Sequence, residues 1–309
     1  MKKLTSVIAM MLILSFGFAV PVSAAGTNSY VALGDSISFG YNMTPTTDSS
    51  GRNIGVGYPT LFYDTLGSDT FGTYANLSNP GETSTTILQT ISDNSSCVSS
   101  ATIITLSVGS NNILGPVITS IVKAFAAKNI ILDPNDPNFE TLLQNAIYNN
   151  PEVLPELFTK LNNPSDPLTI KLKTNLTLGA LKFNKDFPNI IKSIRSKNRT
   201  CELYVNTIYN PLKYSDPMYQ SLNTLINSMN ATIKFYAYLY NYKVVDVYQV
   251  IKNNPGYVPF NISTSDISKL NFDVHPTAEG QQAICDKLVT VRDNTWSYYW
   301  QKPIWALNY

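Results

Sequence analysis

Tyr30-Val31-Ala32-Leu33-Gly34-Asp35-Ser36 is an apolar run that ends abruptly in a glycine, a carboxylate and a hydroxyl. Such a run, bounded by turn residues, reads as a buried strand, and its exit delivers Ser36 onto a strand-to-helix turn. Open α/β sheets place their sites at the carboxyl ends of strands, so the position of Ser36 is as informative as its chemistry. A lone serine there has a plainer role as a helix N-cap. Its function therefore rests on what the other strand exits supply.

Working outward, further strands are expected at Thr73–Leu77, Ala101–Val108, Glu202–Ile208 and Lys243–Val247. In the third of these, Ile103, Ile104, Leu106 and Val108 form a nearly continuous apolar run, as a strand covered on both faces requires. Helical periodicity marks Tyr58–Leu66, Leu178–Lys197, Met218–Tyr240 and Ala278–Val291. Strands alternating with helices predict an α/β fold with a parallel sheet. Residues 113–175 are too long for a plain connection. Helices are expected there at Ile113–Ala127, Phe139–Tyr148 and Glu152–Leu161, with Pro164 and Pro167 closing the segment. This helical insertion is expected at the carboxyl edge of the sheet, shaping the binding cleft; the alternative is a subdomain remote from it.

The 309 residues are 44% hydrophobic and 14% charged, enough for one large domain with an insertion. Lys2 and Lys3, the apolar stretch Leu4 to Val20 and the small residues Val22-Ser23-Ala24 read as a secretory signal cleaved after Ala24. The expected mature domain is 25–309, secreted and without stable membrane insertion. Losing Lys2 and Lys3 leaves 20 basic residues against 21 acidic ones, a net charge of −1. That balance gives no electrostatic reason to expect nucleic acid or anionic lipid as the main partner. One histidine and three cysteines without metal-ligand spacing supply a transition-metal site poorly.

Each of the other exits carries a group that serine chemistry needs. A serine hydroxyl is a useful nucleophile only beside a base, and the oxyanion it creates needs preset donors. Asn76-Leu77-Ser78-Asn79-Pro80-Gly81 offers the Gly81 N–H, and Gly109-Ser110-Asn111-Asn112 offers the Asn111 amide. Asp273-Val274-His275-Pro276 carries the only histidine of the chain. Turn glycines, an Asx turn and a satisfied histidine are ordinary one at a time. Four strand exits bearing nucleophile, donors and base are not an ordinary coincidence.

On Gly34-Asp35-Ser36, Gly81, Gly109-Ser110-Asn111 and His275-Pro276, in that order, the chain resembles the SGNH/GDSL hydrolase family. The resemblance spans nearly all of the mature chain. It implies a three-layer α/β/α flavodoxin-like sandwich with strand order 2-1-3-4-5, and a cofactor-free esterase, lipase or carbohydrate deacylase. It also implies catalysis by Ser36 with His275 as general base, and an oxyanion hole of the Ser36 and Gly81 N–H groups and the Asn111 amide. The Gly-x-Ser-x-Gly elbow of α/β-hydrolases does not occur around Ser36. Two positions depart from the family pattern. The acid often found three residues before the histidine is Phe272 here; Asp273, two before, either orients the imidazole or points away. Asn112 stands where the asparagine block usually ends in Asp.

Asp35 and Asp246 read as turn braces. Tyr41 and Tyr58 either line the substrate pocket or pack in the core, and aromatics suit acyl chains and sugar faces alike. The substrate is thus a small-molecule, lipid or carbohydrate ester; a silent binding protein and an acyltransferase are the rival readings. In the 2-1-3-4-5 order Cys97 and Cys201 precede neighbouring strands on the same edge, so a Cys97–Cys201 disulfide is expected, with Cys285 buried in the last helix.

Overall fold

A computed structural model describes residues 28–67, 70–133, 136, 138–216, 218–261 and 269–301. The segment read as a secretory signal lies outside the described residues. Five parallel strands form the sheet: β1 (Asn28–Gly34), β2 (Phe71–Asn76), β3 (Ile103–Ser107), β4 (Glu202–Asn206) and β5 (Lys243–Val245). Their order is 2-1-3-4-5, as the resemblance implies. Ala32 pairs with Asn76 and Gly34 with Ser107, so the exits of the first three strands lie side by side.

The two-residue alternation of each strand divides the core into two layers. Val31, Leu33, Ile104, Leu106, Leu203 and Val205 point to one face. There they meet α3 (Ile87–Asp93), α4 (Ser95–Ser100), α8 (Pro167–Lys197) and α9 (Tyr219–Tyr240). Tyr30, Ala32, Ile103, Tyr204 and Val245 point to the other. That layer is closed by α1 (Ser36–Phe39), α2 (Tyr58–Leu66), α10 (Val247–Asn253) and α11 (Ala278–Gln301). Phe183 and Phe187 of α8 are fully buried; truncating either to alanine would cost about 3–5 kcal/mol.

Three further helices, α5 (Ser110–Ala126), α6 (Phe139–Asn149) and α7 (Val153–Asn162), follow β3 close to the expected bounds. Phe125, Leu143, Ile147, Leu154 and Leu157 give them a small core of their own. The helix expected from Leu178 begins instead at Pro167. Proline without an N–H is well suited to the first helical turn, and Asp166 caps it by accepting from Leu168 N–H at 2.8 Å. Proline there opens the helix rather than closing the segment. Gly179 lets α8 press on α5, since a Cβ would lie 1.9 Å from the carbonyl oxygen of Asn112. Pro116 leaves that carbonyl without its usual helical donor.

The expected disulfide is corrected, and one element is added. Cys97, Cys201 and Cys285 are all free thiols, so the Cys97–Cys201 disulfide is not formed. Asn198 occupies the junction instead: its amide donates to the Val98 and Ala101 carbonyls at 2.9 and 2.7 Å and its oxygen accepts the Cys201 N–H at 2.9 Å. The Cys201 sulfur is held on its own side by Arg195 and the Asn198 carbonyl. Between α1 and α2 a short antiparallel hairpin, Pro45–Thr47 with Asn53–Gly55, has no counterpart among the expected strands. Three-residue strands are too short to show a period.

Candidate active site

The turn after β1 is built by Asp35. Its Oδ1 accepts the Ile37 N–H at 3.1 Å, its own N–H donates to the Ser107 carbonyl at 3.0 Å, and it caps the single turn of α1. This is the bracing role expected of it, with one feature beyond it: Oδ2 is buried without a hydrogen-bond partner among the described residues. Burial pushes the Asp35 carboxyl up to about 7, against the pull of the Ile37 N–H and the nearby His275. Ser36 emerges half-buried at the start of that turn.

Ser36 and His275, 239 residues apart in sequence, meet with Oγ 2.9 Å from Nε2. On the other side of the ring, Nδ1 lies 2.6 Å from Asp273 Oδ1, and the same oxygen accepts the His275 N–H at 2.8 Å. Asp273 therefore faces the ring rather than pointing away. With its proton on Nδ1, the imidazole presents the Nε2 lone pair to the serine hydroxyl. Burial opposes the Asp273 charge, but the bonds from the His275 ring and N–H and from Asn42 outweigh it, and hold the carboxyl below the ordinary carboxylate range. Asn42 donates to Asp273 Oδ2 at 3.1 Å, and the Tyr209 hydroxyl donates to the Val274 carbonyl at 2.6 Å, bracing this loop from two sides.

The donors arrive from the neighbouring exits. Asn111 Nδ2 donates one hydrogen to the Glu82 carbonyl at 3.0 Å, which leaves its second hydrogen for a ligand. Gly81 is exposed, with a positive φ of 84° and open space around it. Ser36, Gly81, Asn111, Asp273 and His275 all line one cavity, and Tyr41 joins them with its ring centre 4.8 Å from that of His275. Tyr58 does not. It is fully buried, with its hydroxyl 3.1 Å from Ser38 Oγ and its N–H bonded to Gln281, so of its two readings core packing is correct.

Asn112, where the family pattern usually has Asp, exchanges two hydrogen bonds with Ser84: its oxygen accepts the Ser84 N–H at 3.0 Å and its amide donates to Ser84 Oγ at 2.9 Å. It braces the loop beyond Gly81 and keeps clear of the reacting groups. Asp246 caps α10 and pairs with Lys234 at 2.8 Å, again a brace.

Sequence reading did not single out Asn42 or Arg52. Arg52, on the short hairpin, donates to the Asn76 carbonyl, to the Ser78 carbonyl at 2.7 Å and to Asn79 Oδ1 at 2.8 Å, clamping the loop that leads to Gly81. A lone arginine in a polar turn gives no local sign of such a role.

A serine in contact with a histidine, a carboxylate behind that ring and two strand-exit donors come together on one edge of a doubly wound 2-1-3-4-5 sheet, a set of groups suited to ester hydrolysis. The model of the GDSL-like lipase/acylhydrolase family matches residues 32–283, and the chain belongs to that family. Its fold is similar to that of a lipase from a goat rumen metagenome, at 17% identity and a TM-score of 0.51, over 86% of this chain and 97% of that one. It is similar also to phospholipase A1 from Streptomyces albidoflavus NA297, at 17% identity and a TM-score of 0.51, over 87% of this chain and 100% of that one. At this identity the likeness is one of fold. No curated protein matches the sequence.

Proposed function

We propose that the chain is a secreted serine ester hydrolase that works through an acyl-enzyme on Ser36. The observation that carries this reading is the 2.9 Å contact between Ser36 Oγ and His275 Nε2, with Asp273 2.6 Å behind the ring. His275 takes the serine proton as Oγ attacks the ester carbonyl, and Asp273 stabilises the imidazolium that forms. The carbonyl oxygen becomes an oxyanion between the N–H groups of Ser36 and Gly81 and the free hydrogen of the Asn111 amide. Collapse expels the alcohol, which receives its proton from His275. Water then attacks the acyl-enzyme by the same relay and releases the acid.

Secretion rests on Lys2 and Lys3, the apolar run and the Val22-Ser23-Ala24 site. In the described residues no helix is long and apolar enough to cross a membrane. An organophosphonate ester that reports serine nucleophiles tests the mechanism. Wild-type protein should gain one adduct on Ser36, and Ser36→Ala should gain none and lose at least about 10³-fold in ester turnover. An unlabelled Ser36 in folded wild-type protein, with no ester turned over, would refute it.

A further inference from the structure

The cavity that holds Ser36 and His275 extends far beyond them, to about 610 Å³, and its inner wall comes from the helices that follow β3. Val117 and Ile121 of α5, Leu161 of α7 and Leu172 and Leu176 of α8 line that part. The polar lining concentrates at the end with Ser36, Asn111, Asp273 and His275; on the insertion's wall Ser120, Asp136 and Gln144 supply it. A sugar would find partners there only in those three side chains and leave its other hydroxyls unpaired, at a cost for each. A hydrocarbon chain would lose only water contact.

Building on the hydrolase reading above, we propose that this chamber is an acyl-chain site, and that its far wall on α5 selects esters of medium-to-long fatty acids over acetyl esters. The length of the chamber along α5 sets the range. From Asn111, at the oxyanion end, to Ile121 the axis of α5 advances ten residues, about 15 Å. A fully extended chain advances about 1.2 Å per bond, as the backbone does, so roughly twelve carbons span that distance. The chamber keeps its shape because α5, α6 and α7 have a core of their own in Phe125, Leu143, Ile147, Leu154 and Leu157, so it does not depend on the ligand to hold it open. Val117 and Ile121 are only partly buried, as side chains facing a cavity should be.

The test is kcat/KM for p-nitrophenyl esters from two to sixteen carbons, with wild type, Val117→Trp and Ile121→Trp. Each buried methylene can contribute up to about fourfold. The wild-type value should therefore rise at least about tenfold from acetate to a maximum near ten to fourteen carbons. Tryptophan at either position should move the maximum to shorter chains and lower the dodecanoate-to-acetate ratio at least about tenfold. Two positions are used so that one misfolded variant does not decide the matter, and near-UV circular dichroism checks both. A profile that falls from acetate onward, or tryptophan variants that lose activity equally on every ester, would overturn the acyl site while leaving the Ser36 mechanism standing. Absence of turnover on every ester, with no phosphonate adduct on Ser36, would overturn the mechanism and the acyl site together.

Discussion

Asp35→Asn isolates the cost of the charge buried under the nucleophile. Asp35 is wholly excluded from solvent, its Oδ2 has no hydrogen-bond partner among the described residues, and the groups facing it are Tyr58, Tyr209, His275 and Glu82. Its carboxyl is raised from 3.8 to about 7. Between those values the native state keeps a proton that the unfolded chain has released. Stability from this group is thus complete below about pH 4, falls by about 1.4 kcal/mol per pH unit, and is lost above about pH 7. The full difference is about 4 kcal/mol. Asparagine keeps an oxygen for the Ile37 N–H and carries no charge. Urea unfolding of both proteins near pH 4, 6 and 8 should show a stability difference that grows in the variant's favour by up to about 4 kcal/mol and then levels. A difference constant across the range to within about 1 kcal/mol would refute the buried-charge argument.

Other outcomes follow from the same contacts. Asp273→Asn should lower kcat by about 10²–10⁴-fold with KM little changed, because the amide no longer holds the His275 proton on Nδ1; equal rates would make the site a dyad. Asn111→Ala removes one oxyanion donor and should cost about 10²–10³-fold in kcat, read from single-turnover rates. Gly179→Ala forces α8 off the Asn112 carbonyl, which a Cβ would meet at 1.9 Å. It should destabilise by about 2 kcal/mol or more in chemical denaturation and slow turnover through the shifted Asn111.

The sequence by itself determined the parts of this protein governed by local pattern. Apolar runs such as Ile103–Ser107, buried on every residue, announced strands, and the 3.6-residue period announced Tyr58–Leu66 at its observed bounds. Because those strands are parallel, their exits share one edge, which brings Ser36, Gly81 and Asn111 together; His275, expected at a fourth exit, lies instead on the loop that enters α11, about 30 residues past β5. What local pattern does not encode is which way a side chain turns or what distant segment it meets. Tyr58 is near Ser36 in sequence but turns into the core. Asp273 finds both His275, two residues away, and Asn42, 231 residues away. Asn198 occupies the junction where a disulfide was expected between Cys97 and Cys201. The chamber beside Ser36 belongs to this second group: its walls come from α1, from α5 to α9 and from five loop segments far apart in sequence. Only their joint arrangement leaves a space between them that opens onto the serine.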